Sequence, residues 1–225
     1  MLAHLNGRTV ITIPGALRLV GLVGSAWATL VILGAALAYL PGHPDFSPLS
    51  TYLSDVGDTP GWPGILFNAG TLMSVPLRYL VLTLLTLRLM QLGAGRAFAA
   101  AVLIIGFAST AGTALMTATP FSVSPLAHKT GIGLYFLGVV VLQTLIGIRE
   151  WNLKGVPRVL PALSFALVIL YGVFATLMVL FMQGAMARTT PVVWEWLAIL
   201  SSIVWMLAQS VVLGREDARE QATGA

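Results

Sequence analysis

Six long apolar runs constrain this chain more than any other feature. They lie near residues 16–40, 64–89, 97–118, 127–148, 158–182 and 192–213. Each run is close to the roughly 20 residues that an α-helix needs to cross the hydrocarbon core of a bilayer. Charged residues make up only 9% of the sequence, against about 25% in a typical soluble domain. The sequence therefore predicts an all-α, polytopic membrane bundle of six transmembrane helices.

The connections between these runs are short, and several are rich in Pro and Gly, as in residues 60–64. None is long enough to hold a second domain, so we expect one six-helix domain over residues 1–225, with a charged tail at 214–225. The first run is longer than the apolar region of a signal peptide, about 7–15 residues, and we expect it to be retained as a span. The absence of cysteine excludes disulfides and thiolate catalysis.

The basic residues predict the orientation of the bundle. Nine of the 12 Lys and Arg residues fall at the same end of the predicted spans: Arg8, Arg18, Arg88, Arg96, Arg149, Lys154, Arg158, Arg215 and Arg219. Because such residues accumulate on the cytoplasmic side, we predict that both termini are cytoplasmic. The membrane expected for the chain is a bacterial inner membrane. This distribution accounts for the net charge of +4, and no nucleic-acid partner is expected.

The longest break between runs, residues 46–64, contains a cluster of polar side chains. Ser47 suits a helix N-cap and Pro48 the first helical position. Three apolar residues then follow at helical spacing: Leu49, Leu53 and Val56. Ser54 lies on another face of this helix, with Asp55 beside it. We therefore expect a short amphipathic helix that lies in the membrane interface within the first outer loop.

Ionisable side chains within spans or at their ends are costly in lipid and are therefore informative. His128 opens the fourth run, and Glu195 lies about one turn into the sixth. Topology places both at the outer membrane boundary, and we expect them to converge there with Asp55. Arg78 lies inside the second run. It either snorkels to the inner headgroups or makes an ion pair or a lipid contact within the bundle.

Several chemistries are open to these residues. Ser54 could act as a nucleophile with His128 as its base and Asp55 or Glu195 as the acid, although the sequence has no GxSxG turn. His, Asp and Glu side chains are suitable ligands for zinc or calcium, but no compact ligand spacing such as HxxxH is present. We therefore predict no metal and no cofactor.

Three stretches carry a family resemblance: LSDVGDTPGWPGILFNAG, TPFSVSPLAHKTGIGLYFLG and VVWEWLAIL. Together they resemble the Frag/DRAM/Sfk family of six-span membrane proteins and related bacterial and archaeal membrane families without an assigned function. The positions that match the family pattern are Ser54, Asp55, Phe67, Asn68, His128, Glu195 and Trp196. The resemblance implies six helices with a polar cluster at the outer or lumenal face. It also implies lipid-related roles, such as remodelling of GPI-anchor lipids, organisation of plasma-membrane lipids, or work in autophagic and lysosomal membranes.

The favoured hypothesis is a lipid-interacting membrane protein whose outer pocket is built from Asp55, His128 and Glu195. Further lipid contacts are expected from Arg78, Asn68 and Trp196. One alternative is a lipid-remodelling acyltransferase or hydrolase that uses Ser54 and His128. Another is a non-catalytic scaffold or accessory subunit, whose polar cluster only locks the helices together and whose partner is another membrane protein.

Overall fold

A computed structural model describes residues 2–5 and 8–215, with side chains described from residue 11 onward. The described residues form a two-stranded antiparallel hairpin, β1 (Leu2–Leu5) and β2 (Arg8–Ile11), followed by helices. The helices are α1 (Ile13–Tyr39), α2 (Leu53–Asp58), α3 (Trp62–Gln91), α4 (Arg96–Ala118), α5 (Pro125–Asn152), α6 (Val159–Met182) and α7 (Thr189–Leu213). A single 3-10 turn (Leu40–Gly42) extends α1.

All helices except α2 are long and apolar enough to cross a membrane, which confirms the prediction of six spans. The chain is therefore an integral membrane protein. Proline stands in the first turn of α1, α3 and α5, where the missing N–H has no helical partner to lose. The Thr12 side chain also caps α1 by accepting a hydrogen bond from the Gly15 N–H at 3.2 Å.

At the N-terminal end the structure has a hairpin that was not predicted, and at the C-terminal end most of the predicted tail is not described. The β1–β2 hairpin was not predicted, although its strands flank Asn6-Gly7, a dipeptide that favours tight hairpins. The hairpin lies ahead of the first span and does not change the helical membrane domain. Most of the predicted charged tail, from residue 216 to 225, lies outside the described residues.

A short helix does lie in the first outer loop, but the prediction of where it starts was wrong. The chain forms a turn after Ser47, whose Oγ accepts the Leu49 N–H at 3.2 Å, and α2 begins only at Leu53. The Asp55 carboxylate accepts the Tyr52 N–H at 3.0 Å, which fixes the start of the helix there. Leu49 is 67% exposed, so the buried apolar stripe consists of Leu53 and Val56 alone.

The six long helices pack as a ring. Around the ring, α1 lies beside α3, then α4, α5, α6 and α7 follow in order, and α7 closes the ring against α1. A smaller contact between α3 and α7 crosses the middle. The largest cluster of buried apolar side chains, which includes Leu17, Leu85 and Ile146, fills the interior. Because successive long helices are antiparallel, the loop that contains α2 lies at the same end as the α4–α5 and α6–α7 connections. We call this the outer end, after the predicted orientation, and the opposite end the inner end.

Glycine allows α4 and α5 to approach closely. A Cβ placed on Gly131 would lie 2.6 Å from the Met116 N and 2.7 Å from the Gly112 O, both of which are backbone atoms. On the same helix, a Cβ on Gly133 would meet nothing within 4 Å. Since lipid provides no hydrophobic drive between spans, such close packing is a main source of their association.

These two glycines give a matched test of the packing. We expect Gly131→Ala to lower the free energy of unfolding by about 1–3 kcal/mol, because the backbone of α4 cannot yield to the new methyl group. Gly133→Ala should leave it unchanged or raise it slightly, since Ala is the better helix former. Unfolding of the purified protein in mixed detergent micelles measures both. Equal stabilities for the two variants would contradict the α4–α5 contact.

Candidate functional site at the outer end of the bundle

Helix α7 holds the first outer loop through hydrogen bonds to its backbone, a contact we call the clasp. The Leu53 N–H, at the start of α2, donates to the Glu195 Oε2 at 2.7 Å. The Trp196 Nε1 donates to the Thr51 O at 2.9 Å, and this indole is only 8% exposed. The first N–H groups of a helix have no partner within it, so Glu195 meets a requirement of α2 itself. Trp196 has no other polar atom left for a ligand.

An ion pair completes the clasp at the surface. The Arg188 Nη2 donates to both carboxylate oxygens of Asp55 at 2.6 Å. The guanidinium also lies 4.7 Å from the centre of the Tyr52 ring, and the Tyr52 hydroxyl donates to the Arg188 O at 2.9 Å. The two charged side chains are 49% and 31% exposed, so solvent screens the pair and we expect it to contribute only about 0–1 kcal/mol.

The electrostatics of the clasp fix its protonation state. Burial, reinforced by the nearby Glu195 and Asp55 carboxylates, raises the pKa of Tyr52 to about 12, against a smaller opposing effect of Arg188. The hydrogen bond that Arg188 donates to the Asp55 carboxylate raises the pKa of Arg188. At neutral pH the phenol therefore keeps its proton, which it donates to the Arg188 carbonyl oxygen, and the guanidinium keeps its charge.

A cavity of about 450 Å³ opens beside α2, and we call it the outer cleft. It is lined by residues 57–61, 64–65, 68–69, 117–118, 120 and 122. The Asn68 Nδ2 donates to the Gly57 O at 2.6 Å, which ties α3 to the end of α2. The Asp58 Oδ1 accepts the Ser122 N–H at 3.0 Å and the Ser122 hydroxyl at 2.6 Å. These bonds connect α2, α3 and the α4–α5 loop around the cleft.

His128 is not part of the clasp. Its Nδ1 lies 2.9 Å from the Met116 O and 3.1 Å from the Thr119 O, at the end of α4. The last carbonyl groups of a helix have no partner within it, so His128 serves as a cap for α4. The expected pocket of Asp55, His128 and Glu195 thus remains a prediction. The two acids bond to residues at the start of α2 or to Arg188, whereas the Nδ1 of His128 faces the end of α4.

The structure shows no direct bond between the expected nucleophile and base. Within residues 11–215, no hydrogen bond joins Ser54 to His128, whose Nδ1 faces two backbone carbonyls. The same part of the chain contains no group of three His, Cys, Asp or Glu side chains that could hold a metal ion.

Arg78 stays inside the bundle. Its Nη1 donates to the Thr113 Oγ1 at 3.2 Å, and its guanidinium carbon lies 5.1 Å from the centre of the Tyr135 ring. Helical side chains tilt toward the N-terminus, and the N-terminus of α3 is at the outer end. The side chain thus points to α4 and α5 and not to the inner headgroups, which excludes the snorkelling alternative.

Sequence analysis missed two groups of polar residues. Tyr52 and Arg188 of the clasp were not singled out, although Arg188 is one of only two basic residues predicted at the outer side. At the other end of the bundle, Glu150, Ser164 and Gln209 are each 0% exposed. One signal was available for Glu150, which follows Gln143 by seven residues and thus lies on the same face of a helix.

The clasp predicts a stability effect at Glu195. We expect Glu195→Ala to lower the free energy of unfolding by about 1–3 kcal/mol, because it leaves the Leu53 N–H, at a buried residue, without an acceptor. Glu195→Gln keeps an oxygen acceptor and should cost less. Asp45→Asn, an exposed change in the same loop, serves as the control. Unfolding and limited proteolysis within residues 43–61 measure the effect, and an Ala variant that behaves like Asp45→Asn would contradict it.

The family of the chain follows from a comparison with known proteins. Residues 16–213 match the family described as Frag1/DRAM/Sfk1/Cwh43P N-terminal domain. The match covers nearly all of α1 and the whole of the bundle that follows, to the end of α7. No curated protein and no solved structure matches the chain. The matched region is well over half of the sequence and includes the three stretches that suggested the resemblance, so this chain belongs to the Frag1/DRAM/Sfk1/Cwh43P family.

Proposed function

We propose that this protein is a lipid-interacting membrane protein that holds the polar headgroup of a membrane lipid in the outer cleft. The position and lining of the cleft carry the proposal. It lies at the predicted outer boundary, where Asn68 and Asp58 supply polar atoms. Ile65 and Ala69 are exposed on the adjoining face of α3, and they offer an apolar wall to the upper part of an acyl chain. A site for an amphipathic ligand needs this combination of surfaces.

The charges of the cleft favour a particular class of headgroup. Asp58 is the one ionisable side chain in the lining, and the lining contains no Lys or Arg. The Asp58 Oδ1 is occupied by Ser122, so within the described residues the Oδ2 is the oxygen open to a ligand. A carboxylate and an amide recognise ammonium and hydroxyl groups and repel a net negative charge. The proposed ligand is therefore a zwitterionic or neutral headgroup with an amine or hydroxyls.

The three residues that the sequence predicted as lipid contacts, Asn68, Arg78 and Trp196, have different roles in this proposal. Asn68 lines the cleft directly. Thr117 also lines it, and its Oγ1 donates to the Thr113 O at 2.7 Å one turn below. Since Thr113 accepts from Arg78, a polar face of α4 leads from the cleft to that guanidinium, which we propose as a deeper, secondary contact. Trp196 supports the site only indirectly, because it anchors the loop in front of the cleft.

The proposal also includes the orientation of the bundle in the membrane. The excess of basic residues at the end opposite α2 supports cytoplasmic termini and an outer cleft that faces away from the cytoplasm. The proposed location is a bacterial inner membrane. A lipid bound there would come from the outer leaflet.

A second candidate is a non-catalytic scaffold that binds a partner membrane protein. The clasp favours it, because Asp55, Tyr52 and Trp196 all direct their polar atoms to other parts of the chain and hold the loop in place. In this case the outer face would be a rigid surface, and the cleft would contain no lipid.

Filling the cleft tests the lipid proposal. Ala69→Phe puts a large side chain on an exposed position of its lining and removes no hydrogen bond, while Ala100→Phe makes the same change at an exposed position of α4 far from the cleft. In nanodiscs that contain phosphatidylethanolamine and phosphatidylglycerol, native mass spectrometry should find retained phosphatidylethanolamine on the wild type and on Ala100→Phe. We expect at least about tenfold weaker retention on Ala69→Phe, or 1.4 kcal/mol.

Two results would contradict the proposal. Equal retention on Ala69→Phe and Ala100→Phe would show that any bound lipid lies elsewhere. A preference for phosphatidylglycerol would show that an anionic headgroup is recognised, which the lining of the outer cleft does not allow.

A further inference from the structure

Six buried side-chain atoms of residues 149–150 and 209–210, at the inner end of the bundle, have no hydrogen-bond partner within the described residues. Two are the Arg149 Nε and the Ser210 Oγ, and the other four belong to two facing side chains. They are both carboxyl oxygens of Glu150 on α5, and the Nε2 and Oε1 of Gln209 on α7. Each side chain is 0% exposed. Buried polar atoms in native proteins are nearly always paired, so unpaired atoms concentrated at one place call for a physical explanation.

Three helices meet around the Glu150 carboxyl. Gln209 and Ser164 are the side chains that face it. The Ser164 Oγ already accepts the Trp205 Nε1 at 2.9 Å and donates to the Leu160 O at 3.2 Å, so its O–H is not available to the carboxyl. Trp205 precedes Gln209 by one turn of α7, so the two side chains are neighbours on one face of that helix. Trp205 bonds to Ser164 on α6, and Gln209 faces Glu150 on α5. Gln209 is thus the partner that remains for Glu150.

No cation neutralises this carboxyl within the described residues. Apart from Glu150 itself, the ionisable side chains that the structure describes at the surrounding helix ends are all basic. Three of them donate to backbone carbonyls, Arg88 to Leu213, Arg149 to Gly93 and Arg158 to Trp151. The others are exposed, namely Arg18, Arg96, Lys154 and Arg215. An ionised carboxylate without a donor or a counter-ion is among the most costly groups to bury, in a protein interior or at membrane depth.

We propose that Glu150 is a buried proton-binding site, at which the folded protein holds a proton on the carboxyl group paired with the Gln209 amide. An ionised carboxylate can only accept hydrogen bonds, whereas a carboxylic acid also has one O–H to donate. The acid O–H can donate to the Gln209 Oε1, which gives that buried oxygen a donor that an ionised carboxylate cannot supply. Without the proton, the Gln209 Oε1 has no donor and the interior carries a charge.

The bound proton links the packing of α7 against α5 to pH. Water supplies the proton at the inner end, and no covalent bond other than the carboxyl O–H forms or breaks. The unfolded chain ionises this carboxyl freely at neutral pH, whereas the folded bundle keeps it neutral. The folded state therefore binds more protons, and its stability must fall as pH rises. This inference concerns the inner end of the bundle and does not depend on the outer cleft.

Infrared spectroscopy of the full chain in lipid bilayers tests the site. At neutral pH we expect a carbonyl band of a protonated carboxylic acid that shifts in D₂O and is missing from Glu150→Gln. Glu195→Gln is the control for the other span carboxyl and should leave that band in place. Gln209→Leu should shift the frequency of the band, because the acid loses its hydrogen-bond partner. A purely structural role of Gln209 would not produce this shift.

The pH dependence gives a second readout. In the wild type, alkaline pH should remove the acid band and lower the thermal midpoint together, and the midpoint of Glu150→Gln should fall less. If Glu150→Gln does not fold, the coupled loss in the wild type and the band shift in Gln209→Leu still decide the question. A wild-type spectrum with no acid band assigned to Glu150 would overturn the proposal. So would stabilisation by Na⁺ that requires Glu150, since the site would then bind a metal cation and not a proton.

Discussion

The hydrogen bond from the Leu53 N–H to the Glu195 carboxylate determines where the first outer loop can lie. A loop at the boundary of a membrane still has to pair its backbone groups, and the short helix α2 cannot pair its own first N–H groups. Two side chains of α7 pair backbone groups of the loop: Glu195 accepts from the Leu53 N–H, and Trp196 donates to the Thr51 O. With the start of α2 fixed there, its end faces Asn68 on α3 and Ser122 beyond α4, and the outer cleft lies between them.

The same requirement explains how the interior is organised. Between spans, packing at glycines such as Gly112 and Gly131 brings backbones together where lipid offers no hydrophobic drive. Hydrogen bonds between polar side chains inside the bundle add to this association of the spans. Arg78 donates a hydrogen bond to Thr113 and lies against the Tyr135 ring. The Tyr135 and Tyr171 hydroxyls form a hydrogen bond of 2.9 Å. Glu150 and Gln209, in contrast, are among the buried side chains whose polar atoms have no partner within the described residues.

The fold could be predicted from sequence because the backbone of each span has to satisfy its own hydrogen bonds, so that run length and composition nearly define the helices. The site could be predicted only in part. Asn68 and Glu195 lie where the polar pattern suggested, but His128 turns to the end of α4, and the face that a helix end presents is decided by its neighbours. Glu150 was missed because the fourth span was predicted to end at residue 148, whereas α5 continues to Asn152 and carries this carboxyl inward.

An experimental structure of the protein in nanodiscs that contain phosphatidylethanolamine would test the central claim most directly, namely that the clasped loop shapes a headgroup site. The account predicts density for a headgroup in the outer cleft, within hydrogen-bond distance of Asn68 or of the Asp58 Oδ2. It also predicts that the Leu53–Glu195 bond is retained. A cleft filled by side chains, or a lipid bound elsewhere with the cleft empty, would contradict it.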